Sequence, residues 1–198
     1  MKKRDKKIVS RCSWPEGDKL MTAYHDKEWG VPLYNDMKHF EFLMLEVAQA
    51  GLSWRTVLYK REGYRRAFAA FDPVKVARFD KRKVESLMKD AAIIRNRQKI
   101  SAAVANARAF LKVRAEFGTF SSFMWSFVGG APKVNRWKKM SELPAVSEES
   151  AALSMELKRR GFKFVGPTTM YAHMQAAGLV NDHVVGCFRH KEVQRKKR

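Results

Sequence analysis

The chain has 198 residues, of which 45% are hydrophobic and 12% aromatic; this suffices for one compact domain and excludes an intrinsically disordered chain. Lysine and arginine number 40 against 20 aspartate and glutamate, so the formal net charge is +20, which favours nucleic acid as the partner. The longest uncharged stretch, residues 164–181, is interrupted by glycine, proline and polar residues, and the basic N-terminus lacks the apolar segment of a signal peptide. We therefore expect a cytoplasmic protein.

Much of the charge lies at the two ends of the chain. Residues 1–11 and 188–198 each contain six basic side chains and one acidic side chain. Basic segments of this kind are typically solvated arms that bind polyanions without reading sequence. We therefore expect basic tails at residues 1–10 and 188–198, on either side of a domain of two helical lobes at residues 11–187.

Helical periodicity dominates this domain. The pattern predicts a short helix at Asp72-Pro73 and longer helices over residues 36–50, 80–91, 97–117, 147–160 and 167–178. Asp36 is the candidate N-cap of the first long helix, and Gly51 follows its end. Period-two alternation is not sustained and Asn-Gly or Asp-Gly turns are absent from the sequence. The sequence therefore predicts an all-α fold of roughly eight to ten helices.

The two cysteines, Cys12 and Cys187, lie near opposite ends of the sequence, and each is accompanied by a histidine, His25 or His183. His183 and Cys187 are four residues apart, so on a helix they would share one face. Two thiolates and two imidazoles form the tetrahedral set that Zn²⁺ prefers in closed structural sites. The pattern indicates a zinc site that joins the two ends of the domain; the alternative is a buried free cysteine beside a capping histidine.

Aromatic residues surround one acidic residue in the sequence. The helix that carries Glu46 is flanked by Trp14, Tyr24, Trp29 and Trp54. On a helical wheel Glu46 falls at the edge of the apolar stripe, which allows partial burial. An acid in an aromatic slot suits a flat, electron-poor ligand, because π faces attract cations and a carboxylate accepts N–H groups. The alternative is a set of core tryptophans beside a surface glutamate.

A third pattern, LKRRGFKFVGP at residues 157–167, predicts a helix end, a tight turn and a new helix start. Backbone N–H groups of such a turn can bind a phosphate without reading bases. The flanking Lys158, Arg159, Arg160 and Lys163 would strengthen this contact. A plain helical hairpin with a solvated basic face is the alternative.

With these features the sequence resembles the DNA-3-methyladenine glycosylase I family. The matching segments are RCSW at 11–14, YHDKEWGVP at 24–32, QAGLSW at 49–54, RGFKFVG at 160–166 and GLVNDH at 178–183. They occur in the family's order and span residues 11–187. The resemblance implies a helix-hairpin-helix DNA glycosylase fold in which one structural zinc ion joins the N- and C-terminal segments.

The resemblance also implies the roles of particular residues. The zinc ligands would be Cys12, His25, His183 and Cys187. Glu46 would be the catalytic carboxylate, in a base pocket with Trp14, Met21, Tyr24, Gln49 and Trp54. Contacts to DNA would come from Leu52, as a wedge in the duplex, and from Gly161, Lys163, Val165 and Gly166.

The implied activity is base-excision repair by a monofunctional, monomeric bacterial enzyme associated with the nucleoid. It would act on double-stranded DNA containing alkylated bases, hydrolyse the N-glycosidic bond of 3-methyladenine, and leave the free base and an abasic site. Three positions depart from the family pattern: Met21 stands where an aromatic residue is common, and Val47 and Ala92 where glycine is common. Met21 and Val47 keep open a noncatalytic DNA-damage or structure-binding module of the same fold, and the basic tails keep open a zinc-stapled helical protein that binds RNA.

Overall fold

The computed structural model describes residues 9–195, and most of these residues form helices. The α-helices are α1 Lys19–Lys27, α2 Asp36–Gln49, α3 Trp54–Ala67, α4 Pro73–Val76, α5 Lys81–Met88, α6 Arg97–Phe117, α7 Phe120–Ser126, α8 Glu148–Arg159, α9 Pro167–Ala176 and α10 Phe188–Arg195. Within this part of the chain the only sheet is a two-residue parallel pair, β1 Lys133–Val134 with β2 Val180–Asn181. The prediction of a predominantly helical fold is confirmed.

Side-chain caps set the starts of the predicted helices. The side chains of Asp72, Asp80 and Ser147 accept hydrogen bonds from the first turns of α4, α5 and α8. Helix α2 differs from the prediction, because its N-cap is Asn35 rather than Asp36. The Asp36 carboxylate instead accepts hydrogen bonds from the backbone N–H groups of Phe120 and Ser121, at the start of α7. It therefore joins the first turns of two helices.

Three helices before α8 escape the sequence-based prediction, each for a different reason. Helix α3 is dominated by charged residues, whereas α7 buries most of its residues and so offers no polar face to mark the helical period. Helix α1 is short and is defined mainly by its cap: the Asp18 carboxylate accepts hydrogen bonds from the N–H groups of Leu20 and Met21.

The C-terminal segment also differs from expectation. Residues 188–195 form α10, in which Arg189, His190 and Val193 are buried against the domain. The prediction of a solvated arm is therefore wrong for these residues, and helical packing extends past residue 187. The rest of the two predicted tails is largely beyond the described residues, which exclude 1–8 and 196–198.

Helix α2 forms the centre of the core. Every residue from His39 to Ala48 is buried, and the helix contacts α3, α6, α7 and α9. Burial on all sides draws polar side chains of α2 into the interior, including that of Glu46. Although α2 is enclosed in this way, neither it nor another helix in residues 9–195 has the length and apolarity needed to cross a membrane.

The turn after α9 gives a test of this packing. Gly178 has φ +68°, and a Cβ there would lie 2.5 Å from the Pro32 nitrogen, whereas Gly118 has φ +77° and open space around it. Both Gly→Ala substitutions should lower the free energy of unfolding by about 1–2 kcal/mol through left-handed strain. Gly178→Ala should lose about 1–3 kcal/mol more, because backbone atoms must move. Equal losses in denaturant titrations would contradict this packing.

Candidate active site

The residues predicted for the aromatic slot line a single cavity of about 310 Å³. The structure places Trp14, Met21, Tyr24, Glu46, Gln49 and Trp54 together in its wall. They come from the segment before α1, from α1 and α2, and from the first residue of α3. This volume is at the lower end of the range for small-molecule sites.

The aromatic rings form a continuous wall of the cavity. The ring centroids of Tyr24 and Trp54 are 5.1 Å apart, and those of Trp14 and Trp29 are 5.3 Å apart. Trp14 also contacts Tyr24, with ring centroids 6.3 Å apart. Such a wall offers π faces to a flat ligand and attracts a positively charged one.

Sequence reasoning missed part of the wall. Trp29 was already among the flanking aromatic residues, but four further residues of the wall were not identified: Met140, Leu143, Ala172 and Gln175. These four residues come from the loop around residue 140 and from α9, far from the other wall residues in sequence. Ordinary apolar residues and a lone glutamine carry no local signal of a site, so only the fold identifies them.

Glu46 is the acidic group of the cavity and is only 4% exposed. Burial raises the pKa of its carboxyl group to about 8, because the charged form loses hydration. None of the described residues donates a hydrogen bond to this carboxyl group. A cationic ligand would favour its ionised form, so the cavity combines an aromatic wall with an acid that responds to positive charge.

A second cavity of about 330 Å³ shares Glu46 and Gln49 and is also lined by Leu52, Thr168 and Thr169. It connects the aromatic cavity with the first turn of α9. Leu52 is 42% exposed and lies directly after Gly51, the turn residue that follows α2. The predicted wedge is thus an exposed apolar residue that lines the second cavity.

A buried lysine fixes the end of α2 next to this turn. The Lys99 ammonium donates hydrogen bonds to the carbonyl oxygens of Ala48 and Ala50, at 2.8 and 2.6 Å. These contacts satisfy carbonyls that the helix end leaves free. They hold the segment that carries Gln49 and Leu52 against α6.

The turn at residues 160–166 joins α8 to α9 as predicted. Asn106 of α6 clamps it: the Lys163 N–H donates to Asn106 Oδ1 at 2.7 Å, and Asn106 Nδ2 donates to the Lys163 carbonyl at 3.0 Å. Gly161 has φ +91°, and Gly166 is the N-cap of α9. The backbone N–H groups of residues 164–166 have no acceptor among the described residues; Phe164 and Gly166 are at least partly exposed, whereas Val165 is buried.

Two details of this turn differ from the sequence-based expectation. Val165 is 1% exposed as a whole residue and packs in the core, so neither its side chain nor its backbone is exposed. Phe164, which the sequence did not single out, is 38% exposed and has φ +57°.

The basic flank of the turn is partly neutralised. Arg159 and Arg160 pair with Glu156, and Arg160 also pairs with Glu116. Among the described residues Lys158 and Lys163 have no carboxylate partner. Two of the four basic residues therefore already have carboxylate partners. Lys158 and Lys163 are the ones whose charge is left for an anion.

The two cysteines and two histidines singled out from the sequence meet in one buried cluster. The Cys187 sulfur lies 3.5 Å from His25 Nε2 and 3.6 Å from His183 Nδ1, and the Cys12 sulfur lies 3.7 Å from His183 Nδ1. All four ligand atoms are within 4.8 Å of one another. The cluster could therefore hold a metal ion. Residues 183–187 form a turn before α10 rather than the helix considered from their spacing.

Groups outside the cluster orient both imidazole rings. His25 Nδ1 is 2.8 Å from the Asp26 carboxylate, and His183 Nε2 is 3.0 Å from the Trp29 carbonyl oxygen. Each ring thus directs its other nitrogen towards the sulfur atoms, an arrangement typical of metal-ligating histidines. Hydrogen bonds from Cys12 and the two histidines lower the pKa of the Cys187 thiol, which favours the thiolate that a metal requires.

The remaining departures from the family pattern lie away from the cavity wall. Val47 is buried and faces α3 and α6 beside Tyr64 and Ile100. Ala92 packs against Gly63 of α3, where a Cβ would clash with the Ala92 carbonyl. Of the three departures, only Met21 lines the aromatic cavity.

The chain is similar to known proteins in both sequence and fold. The family model described as methyladenine glycosylase matches residues 14–190. The chain is 54% identical over 179 residues to DNA-3-methyladenine glycosylase 1 of Escherichia coli strain K12, which covers 90% of this chain and 96% of the relative. A crystal structure of 3-methyladenine DNA glycosylase I is 49% identical, with a TM-score of 0.88 over 90% of this chain and 98% of that chain. The Staphylococcus aureus 3-methyladenine DNA glycosylase I, from a study of 3-methyladenine recognition, is 37% identical, with a TM-score of 0.89 over 96% and 99%.

Burial of Glu46 predicts a pH-dependent stability. Folding raises the pKa of this carboxyl group from an ordinary 4.5 to about 8, so between these values the folded state holds a proton that the unfolded state has lost. The contribution of Glu46 to the free energy of unfolding therefore falls as the pH rises from about 4.5 to about 8, and it is constant above pH 8. Relative to the parent, Glu46→Gln should become progressively more stable from pH 5 to pH 8 in denaturant titrations. A difference independent of pH would contradict the raised pKa.

Proposed function

The chain belongs to the methyladenine glycosylase family, and we infer that it is a hydrolytic DNA glycosylase that removes 3-methyladenine from alkylated DNA. It hydrolyses the N-glycosidic bond, releases the free base and leaves an abasic site. The observation that carries this function is the buried Glu46 carboxyl group in the wall of an aromatic cavity. The same wall contains the residues that the family resemblance assigns to base binding.

The aromatic cavity receives the damaged base after the nucleotide leaves the duplex stack. Methylation at N3 makes the adenine of a nucleotide cationic, which weakens the glycosidic bond and removes the need for a strong general acid. The faces of Trp14, Tyr24 and Trp54 stack on the base. Met21 adds an apolar contact and Gln49 a polar one at the edge shared with the second cavity.

Glu46 selects the charged base. Ionising a buried carboxyl group is costly, and a cation beside it offsets this cost whereas neutral adenine does not. The resulting carboxylate accepts hydrogen bonds from the N–H edge of the base. Water then attacks C1′ of the sugar, and 3-methyladenine leaves with the electrons of the broken bond.

The duplex is held beside this cavity. The unpaired backbone N–H groups at the end of this turn, on Phe164 and Gly166, bind a phosphate, and Lys163 adds positive charge. Leu52 fills the gap that the extruded nucleotide leaves. In this proposal the helix-hairpin-helix element is α8, the turn and α9, and its support is the set of free N–H groups together with the exposed Leu52.

The enzyme is monofunctional in this proposal. No lysine is among the residues that line the aromatic cavity, and the ammonium of Lys99 is held by two carbonyl oxygens at the end of α2. A lysine nucleophile for strand cleavage therefore has no support. One chain supplies the cavity and the turn, which favours a monomer, and the bacterial relatives favour action on nucleoid DNA in the cytoplasm.

We propose that the metal is one structural Zn²⁺ ion per chain, held by Cys12, His25, His183 and Cys187. A tetrahedral zinc ion with bonds of about 2.3 Å to sulfur and about 2.0–2.1 Å to nitrogen places neighbouring ligands roughly 3.6 Å apart. The sulfur–nitrogen distances of 3.5–3.7 Å fit this geometry. With four protein ligands the ion has no open position for water, so it stabilises the fold and takes no part in hydrolysis.

The proposed role of Glu46 predicts a loss of rate. Glu46→Gln keeps the size of the side chain but removes a charge-assisted acceptor, so single-turnover release of 3-methyladenine should slow by about 30–150-fold, equivalent to about 2–3 kcal/mol. Trp54→Ala should weaken binding of the free base by about 1–3 kcal/mol through lost stacking. Glu62→Gln, at an exposed position on α3, serves as the matched control and should release the base at the parent rate.

Parent-rate release by folded Glu46→Gln would refute the role of this acid. The same assay tests the noncatalytic alternative, because a module that only binds damage would release no base from methylated duplex DNA. Competition between duplex DNA and RNA tests the RNA-binding alternative.

The zinc proposal predicts one equivalent of zinc in freshly purified protein. Cys187→Ser should lose the metal and lower the unfolding temperature, because metal binding is coupled to folding. Zinc content by atomic spectroscopy, together with thermal unfolding before and after chelation, measures both effects. Substoichiometric zinc with full activity and an unchanged unfolding temperature would overturn the proposal.

A further inference from the structure

Gln175 in the last turn of α9 is a polar residue of the cavity wall that the proposed reaction does not use. Its side chain lines the aromatic cavity together with Glu46 and Ala172. Its Nε2 donates a hydrogen bond to Asp182 Oδ2 at 2.8 Å. The amide is therefore held by a hydrogen bond to Asp182, which is not part of the cavity wall.

Asp182 fixes the orientation of this amide. The carboxylate is 1% exposed, and each of its oxygens accepts two hydrogen bonds: Oδ1 from Asn135 Nδ2 and Trp137 Nε1, and Oδ2 from the Tyr171 hydroxyl and Gln175 Nε2. Both oxygens of Asp182 act as acceptors in this network, so the amide presents its nitrogen to Asp182. The network therefore excludes the orientation in which Gln175 Oε1 faces Asp182.

The consequence is a fixed acceptor at the cavity. With Nε2 bound to Asp182, Oε1 is the one polar atom of the Gln175 side chain left for a ligand, and none of the described residues donates a hydrogen bond to it. Glu46 of α2 and Gln175 of α9 thus give the cavity two acceptor groups on different helices. A base that fills the cavity must meet them with N–H donors.

We propose that Gln175 Oε1 accepts a hydrogen bond from the bound base and determines selectivity for purines that carry an amine rather than a carbonyl oxygen at position 6. This proposal rests on the glycosylase function proposed above. A carbonyl oxygen opposite Oε1 would leave two acceptors facing each other without a proton, which a desolvated site penalises strongly. Asp182 acts as a positioning residue, because it prevents the amide from turning its nitrogen towards such a base.

The test compares two bases in one reaction. Methylated duplex DNA that contains both 3-methyladenine and 3-methylguanine is incubated with excess enzyme, and release of each base is followed by chromatography. Gln175→Met keeps the length of the side chain but has no acceptor, and should slow 3-methyladenine release roughly tenfold while leaving 3-methylguanine release within about threefold. Gln98→Met, at an exposed position on α6, is the matched control and should not change either rate.

Asp182→Asn should lower the ratio of the two rates in the same direction, because the amide at position 175 is then free to turn. A purely structural role of Asp182 would slow both bases equally. Equal slowing of both bases by Gln175→Met, or no slowing, would overturn the proposal. Failure of the parent enzyme to release 3-methyladenine would instead refute the glycosylase function itself.

A second measurement does not depend on how well a variant folds. Quenching of tryptophan fluorescence in the parent protein gives the affinities of free 3-methyladenine and of 3-methylhypoxanthine, its 6-carbonyl counterpart. The carbonyl compound should bind at least roughly tenfold more weakly. Equal affinities would contradict an acceptor at this position of the wall.

Discussion

Desolvation of the Glu46 carboxyl group is the constraint around which the site is built. Helix α2 is enclosed by α3, α6, α7 and α9, so a side chain at its inner edge loses contact with water. The pKa of about 8 expresses that loss. A cation in the cavity offsets it, which couples recognition of a charged base to the ionisation of one residue. In the proposed function, selectivity for the cationic damaged base follows from this cost of ionising Glu46 in the empty cavity.

The other parts of the structure hold the wall around this acid. Lys99 fixes the end of α2, and Asn106 fixes the turn before α9. The buried Cys/His cluster lies behind the aromatic wall, where the Trp29 carbonyl contacts His183 and the Trp29 ring lines the cavity. Asp182, next to His183 in the chain, orients Gln175. The cavity geometry therefore depends also on groups outside its wall.

Local signals allowed much of this to be predicted from the sequence. Ser147 as a cap and the apolar stripe of residues 97–117 correspond to α8 and α6, and the motif residues around Glu46 line one cavity. Gln175 and Met140 could not be predicted, because they reach the wall only through long-range packing. Helix α10 was missed because its basic composition conceals the burial of Val193.

The most direct test is the ionisation of Glu46 itself. Carbon-13 labelling of the glutamate carboxyl groups, with Glu46→Gln to assign the signal, allows the titration to be followed by nuclear magnetic resonance in the free protein. We predict a midpoint near pH 8 for this carboxyl group. A midpoint near 4.5, the ordinary value for glutamate, would show that the carboxyl group is hydrated and would contradict selection of the cationic base by desolvation.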